Sequence, residues 1–299
     1  MSIFVQVPNV MNQLKLLVVG SSGYIGRALY YKASTVARTL GTSSSGRPPL
    51  LALQLEQPSF FNYDLIDGST CVFLVAAISA PDLCTKQRDH VWSVNVTGTS
   101  EFISNVIGRG ARVVFFSSDT VYGDQTTPFD ESHYCVPLGA YAEMKHFIER
   151  EFENQPLFKT IRLSYVFSRD DRFTQYLRDC ANQKQEAEVF HPFNRSVVHR
   201  DDVVDGALAL ALRWNEFPQA SINFGGPNTI SRIEFAETLR NFPPLSELRF
   251  RVVEPGQSFF MSRPRSIPMR SPILPKLLGR PTRTIEQAAS IEFGVLERI

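Results

Sequence analysis

A chain of 299 residues, 43% hydrophobic and 20% charged, can hold a large core or one main domain with a smaller companion. A formal net charge of +1 gives no argument for nucleic acid or an anionic membrane surface as partner. The four cysteines (Cys71, Cys84, Cys135, Cys180) are scattered, and the histidines show no ligand spacing, so a reduced, cytoplasmic chain without a metal is expected. No apolar run approaches the roughly 20 residues of a membrane-spanning helix. Residues 1–13 lack the basic and apolar stretches of a signal peptide and are expected to form an extension before the first strand.

In chain order, Leu14 to Val19 is an apolar, β-branched run that suits a strand buried on both faces. Ile25 to Ala33 follows as a helix, and Val36 to Leu40 as a second strand. The apolar runs Phe60–Leu65 and Cys71–Ala77 come next, then helical spacing over Gln87–Ile107 and another buried strand over Arg112–Phe116. Tyr141 to Asn154 has the pattern of a charged amphipathic helix, and Lys159–Leu163 that of a strand. Strands alternating with helices predict parallel βαβ units, hence an α/β, Rossmann-type doubly wound sheet. The last third differs in texture. Asp201–Trp214 has an Ala/Leu face, Ser231-Arg-Ile-Glu234 has capping-box spacing for a helix through Asn241, and Pro and Arg recur beyond Pro243. The expected division is a dinucleotide-binding domain over 14–165, rejoined by about 196–226, and a smaller substrate-binding lobe drawn mainly from 166–299.

Gly20-Ser-Ser-Gly23-Tyr24-Ile25-Gly26 lies between the first strand and the first helix. Glycines there permit a tight turn and close approach of backbone to a pyrophosphate, and the helix N-terminus supplies positive potential. A glycine-rich turn that merely connects two elements is the plainer alternative. Cofactor choice rests on the end of the second strand, where a carboxylate would bind the ribose 2′-hydroxyl of NAD and a cation a 2′-phosphate. The chain offers Ser43, Ser44 and Arg47 there and no carboxylate between Gly41 and Leu55, which favours NADP over NAD. Asp64, followed by Leu65, is a candidate partner for the adenine, or simply a turn cap. Ala76 and Ala77 are small enough to admit a flat base or ribose.

Tyr141-Ala-Glu-Met-Lys145 sets a phenol and an ammonium four residues apart, on one helix face. A cation beside a phenol favours the phenolate and makes the tyrosine a usable acid/base, whereas on its own the pair is also an ordinary solvated helix face. With the glycine turn, Asp64-Leu65, Ala76-Ala77, Asn95-Val-Thr-Gly-Thr99 and Ser117-Ser118-Asp119-Thr120-Val-Tyr-Gly123, it resembles the extended short-chain dehydrogenase/reductase family, in its nucleotide-sugar-modifying branch. That resemblance implies Ser118, Tyr141 and Lys145 as catalytic residues, Lys145 also holding the nicotinamide ribose and lowering the Tyr141 pKa, and Asn95 as a prop of the site. It implies a homodimer joined through the Gln87–Ile107 and Tyr141–Asn154 helices. Arg195, in Arg195-Ser-Val-Val-His199-Arg-Asp-Asp-Val, and Arg263, in Arg263-Pro-Arg, are similar to the arginines that hold a nucleotide-sugar diphosphate.

The reaction class follows from departures within the resemblance. Thr120 stands where sugar dehydratases carry a glutamate, which argues against dehydration. Arg162-Leu-Ser-Tyr165-Val-Phe167 is similar to the Arg-x-Ser-Trp-Val-Phe segment of dTDP-4-dehydrorhamnose reductases, with Tyr165 as the aromatic wall and Asp119 beside Ser118. The segment around Arg195 and Thr120-Val-Tyr-Gly123 look more like 4-epimerases. Reduction of a 4-keto nucleotide sugar by NADPH is the expected activity. An NAD-retaining 4-epimerase is the alternative, and a non-catalytic NADP-binding regulatory subunit a third.

Overall fold

The computed structural model describes residues 14–294; the expected extension over 1–13 lies outside them. A seven-stranded sheet, every neighbouring pair parallel, forms the centre. Its strands are β1 (Lys15–Val19), β2 (Arg38–Ser43), β3 (Leu51–Ala52), β4 (Thr70–Leu74), β5 (Arg112–Ser118) and β6 (Phe158–Leu163), joined at one edge by Ser221–Phe224. Their spatial order places β1 between β2 and β4, so successive connections leave in opposite directions from β1. A crevice opens at the carboxyl ends of the strands at such a switch point.

The central strands are near-continuous apolar runs because helices cover both faces. Leu16 and Val18 of β1 enter one core with Phe73 and Phe116, under α1 (Tyr24–Ser34) and the helix Arg200–Leu212. Leu17 and Val19 enter the other with Val72 and Leu74. That second face is covered by α2 (Pro81–Lys86), α3 (Arg88–Trp92), α4 (Thr99–Ile107) and α5 (Ala140–Phe152). Between α3 and α4 the chain makes a π-helical turn over Ser93–Gly98. The expected continuous helix over Gln87–Ile107 is therefore a composite, and the extra residue per turn carries Asn95.

One other expectation is corrected. The second strand begins two residues later and ends three residues later than Val36–Leu40, because Val36 and Ala37 close the end of α1 through bonds to Ala33. The apolar run Phe60–Leu65 falls in two short 3-10 turns, with Pro58 opening the first and Asn62 capping the second. The outermost strand is Leu51–Ala52, paired with Thr42 and Ser43.

Beyond β6 the chain builds a smaller lobe around its own core, in which Phe167, Phe173, Leu177, Phe235 and Leu239 are buried. Its short sheets pair Glu186–Phe190 with Arg249–Val253, and Asn194–Ser196 with both Thr229–Ser231 and Ser266–Ile267. Ser231 and Glu234 complete the expected capping box at the start of the helix Arg232–Leu239. Among the described residues, no helix is long and apolar enough to cross a membrane.

Candidate active site

A cleft of about 680 Å³ runs along the carboxyl ends of β1, β2, β4 and β5. Gly20, Gly23, Tyr24, Ile25 and Gly26 line one end, Ser43 and Ser44 a side, Ala76 and Ala77 the floor, and Tyr141 and Lys145 the far wall. The glycines are required by space. Gly20 has φ +90°, and a Cβ on Gly26 would fall 2.1 Å from the Gly20 carbonyl oxygen. No side chain caps α1, so its first-turn amides are available to an anion at the cleft. Ser21, buried, donates to the Val18 carbonyl at 2.8 Å. Glycine turn, uncapped helix and elongated cleft together fit a dinucleotide.

Asn95 does not line the cleft but holds it. Its amide oxygen accepts from the Ile78 N–H at 2.9 Å and its amide nitrogen donates to the Ile78 carbonyl at 2.8 Å, fixing the segment after Ala76 and Ala77. Tyr24 donates from its hydroxyl to Ser168 at 2.8 Å, linking the glycine turn to the smaller lobe.

Asp64 and Leu65 are brought nowhere near this cleft. They lie beside Lys15, Arg38 and Thr70, at the amino ends of the strands, and the Asp64 amide is capped by Asn62. Their expected place is taken by Leu53, Gln54, Leu55 and Glu56, which follow the two-residue strand β3 and line the cleft. Gly98 admits that segment: a Cβ there would stand 1.4 Å from the Leu55 oxygen. The alternation Leu51-Ala-Leu53-Gln54-Leu55 was the sequence signal for it. Glu56 pairs with His90 at 2.8 Å across the cleft. Arg47 is exposed in the loop after β2, outside the cleft wall.

Lys145 is buried, and its ammonium donates to the Phe116 carbonyl at 2.7 Å, 5.8 Å from the centre of the Tyr141 ring. Burial, opposed in part by Glu149 and Cys84, pulls Lys145 down to about 7. The expectation that Lys145 lowers the Tyr141 pKa is corrected. Burial pushes the Tyr141 phenol up, and the Cys84 and Asp119 charges add to it.

Ser118 ends β5. Its hydroxyl accepts from the Thr120 amide at 3.2 Å and hydroxyl at 3.0 Å and lies 3.3 Å from Asp119, while the preceding Ser117 lines the cleft. Asp119 is buried, accepts from Ser164 at 2.9 Å and stands 3.7 Å from Arg195; burial pushes its carboxyl up, against the pull of that arginine. Arg195 does not face the cleft freely. Its guanidinium donates to the Asn194 and Pro264 carbonyls, each at 2.7 Å. Arg263 is paired with Asp82 at 2.9 Å and stacks over Phe259. Tyr165 donates to Asp171 and packs edge-on against Phe235. So Ser118, Asp119 and Arg195 are brought together, and Tyr165 and Arg195 share a small cavity with Arg232.

Beneath the site Glu149, Arg162, Tyr122 and Asn223 form a buried chain. Arg162 grips Glu149 at 2.7 and 3.0 Å and donates to Tyr122 at 2.7 Å, which donates to Asn223 at 2.8 Å. Burial alone would push Glu149 up; His146 and Arg162 outweigh it and hold its carboxyl below the usual range. Cys135, His146 and Glu149 also bring possible ligand atoms within 4.8 Å of one another, which sequence spacing did not suggest. Any cation there would compete with Arg162 for Glu149.

A doubly wound sheet with a glycine-turn cleft at its switch point, and a tyrosine and lysine at the cleft's far wall, defines a Rossmann-type protein built to hold a dinucleotide. The RmlD substrate binding domain family matches residues 14–288, and the chain belongs to that family. It is similar to methionine adenosyltransferase 2 subunit beta of Xenopus laevis, 23% identical over 233 residues, 74% of this chain and 70% of that protein. Among solved structures it is similar to MoeE5 in complex with UDP-glucuronic acid and NAD (TM-score 0.78, 20% identity, 92% of this chain and 96% of that one). It is likewise similar to a dTDP-4-dehydrorhamnose reductase of Clostridium acetobutylicum (TM-score 0.78, 19% identity, 93% and 98%). These structural likenesses carry the fold. The family match and the shared fold agree with the resemblance to extended short-chain dehydrogenase/reductases.

Proposed function

We propose that this protein reduces the 4-keto group of a nucleotide-linked deoxysugar, using NADPH as a dissociable cofactor. The observation that carries the reading is a tyrosine with a buried lysine one helical turn on, at the far wall of a dinucleotide cleft. A reduction needs its acid to begin with the proton in place, and burial pushes this phenol up. Membership of the family and the solved relatives' printed ligands, UDP-glucuronic acid and NAD among them, support a nucleotide sugar and a nicotinamide dinucleotide. Ser43 and Ser44 at the end of β2, with Arg47 beyond, support NADP over NAD.

In this reading the nicotinamide supplies hydride to the ketone carbon. Tyr141 gives the developing alkoxide its proton, and Ser118, released from Thr120, donates a hydrogen bond to the same oxygen. Lys145 turns from the Phe116 carbonyl to the ribose and keeps positive charge beside Tyr141. Tyr165 and Asp119 border the sugar. Each well-aimed donor on such an oxygen is commonly worth about 3 kcal/mol. Phe147, exposed on α5 and in edge contact with the part-buried Trp92 of α3, supports a homodimer. A cytoplasmic location suits the four free cysteines.

The test is NADPH oxidation against a panel of nucleotide-4-keto-6-deoxysugars, with Tyr141→Phe as control. The variant is expected to bind cofactor normally and to lose about 100-fold or more in turnover, the usual contribution of a positioned general acid. Near-wild-type turnover would sink the assignment. Tightly bound NAD recovered from the purified protein would favour a 4-epimerase instead. The curated relatives favour one other reading, a nucleotide-binding subunit of another enzyme. Wild-type protein inert on the whole panel, yet retaining NADPH affinity, is the outcome that reading predicts.

A further inference from the structure

His146 and Glu149 stand three residues apart on α5, on one helix face, and Cys135 reaches them from the loop that precedes the helix. One ligand atom from each of the three lies within 4.8 Å of the other two. His146 Nδ1 and Glu149 Oε1 are buried and have no hydrogen-bond partner among the described residues. Cys135 is a free, part-buried thiol packed against the cluster of Tyr122, Phe129 and Met269.

The two oxygens of Glu149 are unlike. Both bonds from Arg162 end on Oε2. His146 Nδ1 stands 3.9 Å from that same oxygen, too far for a hydrogen bond. Oε1 has no donor among the described residues, in a side chain that is 3% exposed. Buried polar atoms normally find partners, and two orphans beside one thiol are unfavourable unless something joins them. A cation would therefore compete with Arg162 for the carboxylate's charge and not for the same atom.

We propose that Cys135, His146 and Glu149 form a zinc site, with three protein ligands and a fourth position for water. A thiolate, an imidazole and a carboxylate suit Zn²⁺, whereas Mg²⁺ and Ca²⁺ take oxygen alone. Bonds of about 2.0–2.3 Å put tetrahedral donors about 3.3–3.6 Å apart, so each pair closes by about 1.5 Å at most. His146, with its side chain 25% exposed, has room to turn, while Arg162 keeps Glu149 in place. Arg162 is then the outer hydrogen-bond partner that a ligating carboxylate needs. Zinc displaces the Cys135 thiol proton, and thiolate and carboxylate together neutralise the ion. The site ties the Cys135 loop to the helix that carries Tyr141 and Lys145, and none of its three ligands lines the dinucleotide cleft. It is independent of the reaction performed there.

The experiment is titration of the full chain, first stripped with a chelator, with Co²⁺ as a spectroscopic stand-in and then with Zn²⁺. One equivalent of Co²⁺ should give the visible bands of a tetrahedral ion and a near-ultraviolet thiolate-to-cobalt band, and Zn²⁺ should abolish both. Cys135→Ser should lose the thiolate band. Cys135→Ser and His146→Ala should each weaken Zn²⁺ at least tenfold, with thermal melting of the metal-free proteins checking the fold. Zn²⁺ should raise the Tm of the wild type and leave that of Cys135→Ser unchanged. Wild-type protein serves if the variants do not fold: Cys71, Cys84 and Cys180 are buried, and Zn²⁺ should protect the more open Cys135 from iodoacetamide, read peptide by peptide. Cobalt bound without a thiolate band would overturn the proposal. So would Zn²⁺ affinity unchanged in both folded variants, or Cys135 alkylated equally with and without Zn²⁺.

Discussion

The dinucleotide half and the smaller lobe are built from different materials. Around the cleft the main chain shapes the walls: Gly20, Gly23 and Gly26 bring backbone close, an uncapped helix offers amides, and Asn95 braces Ile78 through backbone groups. The lobe instead carries arginines spread from Arg195 to Arg263, each set by a ring, a carbonyl or an acid from elsewhere in the chain. A backbone site is specified by neighbours in sequence. An arginine site is specified by what else its guanidinium touches, and only the assembled fold decides that.

The strongest way to break this contrast is to remove the polar chain that joins the two regions. Arg162 of β6 bonds Glu149 and Tyr122, and Tyr122 bonds Asn223, whose amide donates to the Arg270 carbonyl at 3.0 Å. Arg162→Met leaves Glu149, whose side chain is 3% exposed, with His146 at 3.9 Å in place of the bonded guanidinium. Breaking such a buried pair costs about 3–5 kcal/mol, and urea denaturation should show that loss. Glu149→Gln combined with Arg162→Met should recover part of it. A loss under about 1 kcal/mol would mean that apolar packing alone joins sheet and lobe.

The same contrast explains what was legible in the sequence. The sheet was readable because its central strands are apolar runs and its helices have clear periodicity. The glycine turn and Tyr141-x-x-x-Lys145 were readable because their geometry is local. Asp64 and Leu65 misled, since they satisfy a sequence pattern that the structure fulfils ten residues earlier at Gln54 and Leu55, after a strand too short to declare itself. Nothing in Ser231-Arg-Ile-Glu234 shows that the Arg232 guanidinium will lie over Phe173 and Phe193. The direction of the Tyr141 shift was missed for a related reason, because burial is a property of the whole cleft.

Lys145 gives a sharper test on the dinucleotide side. Its folded pKa of about 7 lies below the ordinary lysine value, so between the two the unfolded chain binds a proton that the native chain does not. Unfolding free energy must therefore rise with pH across that window, by about 1.4 kcal/mol per unit from this group. Below pH 7 the full penalty of burying the ammonium remains. Cofactor-free wild-type protein should gain about 2–3 kcal/mol relative to Lys145→Met between pH 7 and 9 in urea denaturation. Thiols such as Cys71, pushed up to about 12 by burial, act in the opposite direction above their unfolded values. They are common to both proteins and cancel in the difference. Parallel stability curves would show that Lys145 keeps its proton throughout.

Arg47 offers the smallest effect and the finest distinction, because it is the side chain proposed to choose the cofactor in a half otherwise built from backbone. It sits exposed in the loop between β2 and β3, and its carbonyl accepts from the Leu50 amide at 3.0 Å. The loop is therefore shaped by the main chain and should survive truncation of the guanidinium. A hydrogen-bonded charge pair with a 2′-phosphate is worth about 1.5–3 kcal/mol when desolvated and less at an open rim. Arg47→Ala should accordingly weaken NADPH about tenfold and leave NADH within about twofold, read by fluorescence titration of both cofactors. Equal losses for both would make Arg47 a determinant of loop shape. No loss for either would leave Ser43 and Ser44 as the residues that choose the cofactor, and the dinucleotide half would then be a backbone site throughout.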